Sequence, residues 1–592
     1  MRILRTLHKL SSLQVRHASY RIGCASGFWG DTAVSTRQLV HSDPPVDVIA
    51  YDYLAEITMS ILARMKAKDP KLGYCPDFAL VHLASNLREI KKRGIKIVSN
   101  AGGLNPLACA QQISQMAQEQ GIELKVAAIT GDDLSSLTTD QIRAKLPSSD
   151  ALPEEVDQSG FASVNAYFGA KPIARALEAG ADIVVTGRCV DSALVLGPLA
   201  HRFKWDFAKN FDALANGSLA GHLIECGTQC TGGMFTDWHK VPHMENIGFP
   251  IAEFDDATNA TEFVLTKPNG TGGLVSFGTA AEQLIYEIGD PNNYLLPDVN
   301  ADFSQVRIED IAGRENAVKI SGARSTGRPT NLKATGTYMS GYRCTAMVPI
   351  MGANPLPRAE KSAKAILDRC RLLFRALKLG DVFTRTNIQV IGARDCQGRV
   401  VENAGEACLW LSVHHQNRKA LEFSPVLMHH GFLWPRETAK ADIYINGQLV
   451  ESVTDSANVA VSDATDSKHC RNATAASLGD HKYRLMDLAY ARSGDKGDMA
   501  NIGVVCRDPK YYDALKQTLT AEVVADYFSR FLKDASLVKR YEMPGIHALN
   551  FILPQSLGGG GVASLRCDPQ GKGYAQMLLD MTLTELPDFG KL

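Results

Sequence analysis

The sequence is short of net charge, of paired cysteines and of long apolar runs, and each shortage excludes a class of protein. Lys+Arg 63 stand against Asp+Glu 64 in 592 residues, a formal net charge of -1. That balance argues against a general nucleic-acid binder. No run of about 18 apolar residues occurs, which argues against a membrane span. The 13 cysteines are irregularly spaced and never form a C-x-x-C pair. They read as reduced, mostly buried small hydrophobes, not as a disulfide framework or a zinc set. Neither the dinucleotide G-x-G-x-x-G nor a phosphate-binding P-loop is present, so no motif names a cofactor. Low-complexity tracts and short repeats are also missing, which removes fibrous and solenoid readings.

What is present is ordinary for a soluble globular protein: 45% hydrophobic and 21% charged residues. At about 100–200 residues per domain the length calls for several units. Residues 1–20 hold Arg2, Arg5, Lys9 and Arg16 but no acid, and the first acid in the chain is Asp31. Leu4, Leu7 and Leu10 fall at helical spacing, with Ser11 and Ser12 after them. This pattern reads as a mitochondrial presequence, with a basic tail as the alternative, and it places the protein in the matrix.

From residue 21 to 201, short apolar strands alternate with helical stretches. Strands are expected at Arg21–Ala25, Val46–Tyr51, Ile95–Ser99, Leu124–Ile129 and Asp182–Thr186, and helices at Leu107–Gln120 and Pro172–Ala179. Such alternation predicts a mainly parallel, Rossmann-like α/β sheet covered on both faces. Residues 202–455 read as an α+β continuation, with helices at Thr279–Ile288 and Ala359–Leu377. Ser, Ala, Asp and Asn dominate residues 456–480, which read as a linker. Residues 481–587 read as a compact α+β unit. Its strands are expected at Arg484–Ala491, Ile502–Arg507, Val538–Met543 and Ala548–Leu553, and its helices at Tyr511–Lys533 and Tyr574–Leu586.

Parallel α/β sheets bind ligands beyond the carboxyl ends of their strands. Four loops fall there, carrying Gly27, Gly30 and Asp31, then Asn100, Gly102 and Gly103, then Asp132, then Arg188 and Asp191. Glycine admits close backbone approach, Arg188 is suited to a carboxylate or phosphate, and Asp31, Asp132 and Asp191 are candidate acids or bases. Three further groups carry weaker signals. The run from Glu225 to Gly233 sets Cys226 beside glycines, with His239 and His243 following, but Pro242 between the histidines argues against a helical metal pair. Lys267 and the later Arg314, Lys319, Arg324, Arg328 and Lys333 are candidates for an acidic ligand group. Arg492, Asp495 and Lys496, in a loop near Asp498, either fix a surface hairpin or complete a binding site.

Taken together, GCASGFWGD (23–31), SNAGGLNP (99–106), GADIVVTGRCVDSALVLGP (180–198) and DPNNYLLPDV (290–299) resemble the acyclic terpene utilisation family, AtuA. The later ARSGDKGDMANIG (491–503) and GGGG (558–561) resemble its associated ferredoxin-like domain. The expected element order of the C-terminal unit, ββαββα, departs from the βαββαβ order of that fold. The resemblance implies a place in acyclic terpenoid or branched-chain acyl-CoA catabolism, and transfers no established catalytic residue. The resulting expectation is a cofactor-independent lyase or hydratase acting on an acyl-CoA or a carboxylate, with no metal and no nucleic-acid partner, and with a homo-oligomer left open. The rival is a non-catalytic assembly subunit of an acyl-CoA enzyme.

Overall fold

The computed structural model describes residues 19–147, 150–255, 260–352, 354–379, 383–395, 398–418, 425–454 and 478–590. The expected presequence at 1–20 lies outside the described residues up to residue 18, and the expected linker at 456–480 lies outside them up to residue 477. The first strands are β1 (Ser19–Cys24), β2 (Val48–Tyr51), β3 (Lys96–Ser99), β4 (Val126–Thr130), β5 (Ser163–Ala166) and β6 (Ile183–Thr186). Of these, β1, β2, β3, β6 and β4 lie side by side in that order, all parallel. Each is four to six residues long and almost wholly buried, as a sheet covered on both faces requires.

Two apolar layers cover this sheet. Helices Glu56–Lys68, Leu87–Arg93 and Pro106–Glu119 bury Leu62, Ile90 and Ile113 against Ile49, Ile97 and Val185 on one face. Helices Lys171–Glu178, Ala193–Phe203 and Phe211–Ile224 bury Leu177, Leu196 and Leu219 on the other. The helix starting at Pro106 is capped by Asn105, whose side chain accepts from the Ala108 amide at 3.4 Å.

Residues beyond 201 extend the same sheet on both edges. Ile251–Asp255 pairs antiparallel with β1 and leads outward to Glu262–Thr266, Ala317–Ser321 and Arg307–Asp310. Lys440–Ile445 pairs with β4 and leads to Gln448–Thr454, which completes an 11-stranded mixed sheet. A second sheet is built on the long strand Asn331–Met351, which pairs with Glu406–His415, Pro425–Pro435 and β5. Helix Pro355–Ala376 covers it, and the expected helix at 279–288 forms as Phe277–Leu284.

In the C-terminal unit, strands Ala489–Lys496, Met499–Cys506, Ala548–Leu553 and Lys539–Met543 form an antiparallel sheet in that spatial order. The two hairpins are separated by helices and followed by helix Tyr574–Leu579, which is the ββαββα order. Four expected bounds are corrected. The expected helix 511–533 is split into Tyr512–Thr518 and Ala521–Tyr527, because the Thr520 side chain accepts from the Val523 amide and starts a new helix. The expected helix 574–586 ends at Leu579, and Thr582–Leu586 becomes a strand on His481–Arg484. The expected strand 484–491 starts at Ala489, after the short helix Leu485–Leu488. Arg492–Lys496, expected in a loop, are strand residues, and the turn is narrowed to Gly497 and Asp498.

Candidate functional site

The C-terminal hairpin docks on the segment that follows helix Phe277–Leu284. Asn501 donates to the Ile285 carbonyl at 2.8 Å and accepts from the Glu287 amide at 3.0 Å. Asn550 donates to the carbonyls of Ile288 and Gly289 at 3.0 and 2.7 Å. Arg507 forms a two-pronged pair with Asp237 at 2.7 and 2.6 Å, which holds that carboxyl down at about 2. Glycine makes this approach possible: a Cβ on Gly503 would lie 2.4 Å from Ile285, and one on Gly494 would lie 2.5 Å from Glu287.

Docking closes a cavity of about 680 Å³ over the carboxyl ends of the parallel strands. The large domain supplies Arg188 and Asp191 from the loop after β6, Glu56 and Tyr167, and His222 and Glu225 from the end of helix Phe211–Ile224. Lys333 comes from the long strand of the second sheet. Asp495, Lys496 and Gln570 come from the C-terminal unit. Leu295, Leu296, Pro297, Leu332 and Leu433 add an apolar wall.

Each cation that lines the cavity is already paired with a carboxylate. Arg188 is 4% exposed and donates to Asp191 at 2.9 Å and to the Leu54 carbonyl at 2.6 Å, with its guanidinium 4.2 Å from the Tyr167 ring centroid. Burial works against its charge, but Tyr167, Asp191 and Glu56 outweigh burial and hold it protonated. Lys333 pairs with Glu56 at 3.3 Å. Lys496 and Lys572 share Glu287 at 3.2 and 2.9 Å. Glu287 is held at about 2, because these two ammonium groups outweigh its burial. Asp495, paired with Lys572 at 3.1 Å, is pushed up to about 6 by burial.

The floor is different, because two carboxyls there have no Lys or Arg partner among the described residues. Burial and the nearby Asp191 push Glu225 well above the usual carboxylate range. Beneath it Asp52, 6% exposed, is pushed up by burial, Asp191 and Glu225, and accepts from Asn100 at 2.6 Å. Burial holds His222 neutral, at about 4. Its Nε2 lies 3.1 Å from the Leu284 carbonyl and so carries the proton, which leaves a bare Nδ1 3.6 Å from Glu225. A carboxyl that burial biases toward its protonated form thus stands beside the Asp191–Arg188 pair, an arrangement able to donate and accept protons at one ligand.

The structure brings Arg188, Asp191, Asp495 and Lys496 to this cavity and places the other expected residues around it. Asn100 lies beneath the floor, where it also accepts from the Tyr53 amide at 2.8 Å. Arg492 lies behind the wall, 4.6 Å from the Tyr286 ring centroid. Asp132 is buried and accepts from the Arg188 amide and from Asn165, both at 2.8 Å, which sets the loop bearing Arg188. Asp31 accepts from the Gly27 amide at 3.1 Å and closes a turn that Gly30 helps to make. Gly27, Gly102 and Gly103 face protein: an added Cβ would lie 2.6 Å from the Cys226 backbone, 2.5 Å from the Thr186 carbonyl oxygen and 2.4 Å from Leu62, respectively.

Burial and the carboxylates of Glu225, Glu287 and Asp52 push the Cys226 thiol well up, which disfavours a thiolate nucleophile. The remaining basic residues are dispersed: Arg314 pairs with Glu253, Lys319 with Glu309 and Arg324 with Asp212, while Lys267 donates to the Thr271 carbonyl. Arg328 is buried outside the cavity lining. His243 is exposed beside Glu245, and no metal-holding group of three or more His, Cys, Asp or Glu occurs among the described residues. No helix among them is long and apolar enough to cross a membrane. In the sequence Glu225 and Lys333 read as parts of a thiol loop and a basic face, and Glu56, Tyr167 and Glu287 carry no signal.

These features define a two-domain α/β protein with a mixed sheet whose five central strands are parallel, and a cavity at the junction with a ferredoxin-like domain. The chain belongs to the acyclic terpene utilisation family. Residues 20–435 match the model of acyclic terpene utilisation family protein AtuA, and residues 483–584 match the AtuA ferredoxin-like domain. No curated protein and no solved structure matches the chain.

Proposed function

We propose that the chain is a cofactor-independent enzyme that adds or removes water at an acyclic, branched aliphatic chain bearing a neutral polar head, such as an acyl thioester. The observation that carries this reading is that Glu225, which burial and Asp191 push toward its protonated form, lines the floor of a partly apolar cavity together with the Asp191–Arg188 pair. In hydration, Asp191 takes a proton from water as its oxygen bonds to the β-carbon, and Glu225 gives its proton to the α-carbon. In dehydration each transfer reverses. Family membership supports the aliphatic chain. The paired state of Arg188, Lys333 and Lys496 favours a neutral head over a free carboxylate, which would have to displace a resident acid. The acid-free leader supports a mitochondrial matrix setting.

The test is solvent exchange. The protein is incubated in deuterium oxide with CoA thioesters of ten-carbon acyclic terpenoid acids, and ligand mass is followed. Deuterium gain, or a shift of one water mass, that Glu225→Gln and Asp191→Asn abolish is the expected result. Exchange that survives both substitutions would remove these residues from the chemistry.

A further inference from the structure

A second cavity, of about 760 Å³, lies between the edge strand Arg385–Ile391 and the C-terminal unit. The segment from Asp568 to Gly573 separates it from the first: Gln570 lines one, Asp568 and Gly573 the other. Ile388, Ile391, Met486 and Met577 give it apolar walls, and five arginines line it.

The cations here are not all matched to carboxylates, in contrast to those of the first cavity. Glu360 pairs with Arg394 at 2.8 Å, Asp395 with Arg399, and Asp580 with Arg484 at 3.0 Å. Asp568 is taken up by the amides of Lys572 and Gly573, at 3.0 and 2.9 Å. Arg530 and Arg566 therefore have no carboxylate partner among the described residues. Arg566 donates only to neutral oxygens, those of Ser556, Tyr574 and Phe531. The two guanidiniums lie 5.6 and 5.3 Å from the centroid of the same Phe531 ring, and all three residues line the cleft. Trp238, also in the lining, is 67% exposed; its indole meets the His239 ring edge-on, with centroids 5.9 Å apart, and much of it stays open to solvent. Unmatched guanidiniums recognise phosphate, and an exposed indole stacks on a planar base.

We propose that this cleft binds a ligand of the nucleotide class, with Arg530 and Arg566 on its phosphate and Trp238 against its base. Calorimetric titration of the full chain with adenosine 3′,5′-bisphosphate tests this, with inorganic phosphate and adenosine as separate arms. The expected result is saturable one-to-one binding of the bisphosphate, at least about tenfold tighter than either fragment. Arg530→Met and Trp238→Ala should each weaken it about tenfold or more without lowering the melting temperature. Lys496→Met, in the first cavity, should leave it unchanged. Absence of binding, binding indifferent to both cleft substitutions, or phosphate binding as tightly as the bisphosphate would each overturn the proposal.

Discussion

Lys496, at the end of its strand in the C-terminal hairpin, lies 3.2 Å from Glu287, which follows helix Phe277–Leu284 of the large domain. One contact therefore lines the cavity and bridges the two units. Lys572 holds the same carboxylate at 2.9 Å, so the junction does not depend on Lys496 alone.

This redundancy gives the first prediction. Lys496→Met should leave Glu287 paired with Lys572 and shift unfolding free energy by only about 0–1 kcal/mol, as for a partly exposed pair. Binding of the acyl thioester should weaken by about tenfold or more. Melting and ligand titration on the same variant check it; equal, small effects on both would make Lys496 a docking residue only.

Arg188 makes the opposite case. From sequence alone it reads as a ligand anchor whose replacement by Met leaves the fold intact. In the structure its guanidinium ties the Leu54 carbonyl to Asp191 at 5% side-chain exposure. Breaking one side of a buried pair costs about 3–5 kcal/mol. Arg188→Met should therefore lower stability by about that amount, and chemical denaturation checks it. A variant as stable as the parent would return Arg188 to a purely ligand-directed role.

The five parallel strands were legible because each is a short apolar run bounded by turn residues. The antiparallel strands on both edges were not: pairing partners such as Ala252 and Ile22 are far apart in sequence, and local pattern carries no record of them. The strand-end rule placed Arg188 and Asp191 at the right edge. It could not separate a glycine that admits ligand from one that admits protein, because both show the same residue. Glu56, Glu287 and Tyr167 became neighbours only through sheet order and domain docking. The hairpin motif at 491–503 offered a choice between a structural turn and a site, and the structure makes it both a docking face and a cavity wall.

Gly503 tests the docking half of that statement. An added Cβ would lie 2.4 Å from Ile285 Cδ1 and 2.5 Å from its Cβ and Cγ1, so the buried side chain cannot clear it by turning its tip alone. Overpacking of this kind costs about 1–3 kcal/mol. Gly503→Ala should weaken docking by that amount and raise protease sensitivity between the two units before global unfolding. Unchanged proteolysis would show that the interface absorbs a methyl group.

Glu282 gives the pH prediction. It is 3% exposed on helix Phe277–Leu284, and its carboxylate accepts from the Thr236 amide at 3.0 Å. Burial raises its pKa from 4.5 to about 7. The unfolded chain then loses this proton near pH 4.5 while the folded chain keeps it to about 7, so the unfolded state binds fewer protons across that window. Stability therefore falls as pH rises from about 4.5 to 7 and stays lowered above it, by an amount on the order of 3 kcal/mol. Glu282→Gln cannot ionise and keeps an oxygen for the Thr236 amide. Its stability relative to the parent should improve steadily between pH 4.5 and 7, then level off. Denaturation of both proteins at pH 5 and pH 8 measures the change, and the other buried acids cancel in the difference. A gap between variant and parent that is the same at both pH values would mean that Glu282 is already ionised in the folded protein and that the Thr236 amide, not a retained proton, stabilises it there.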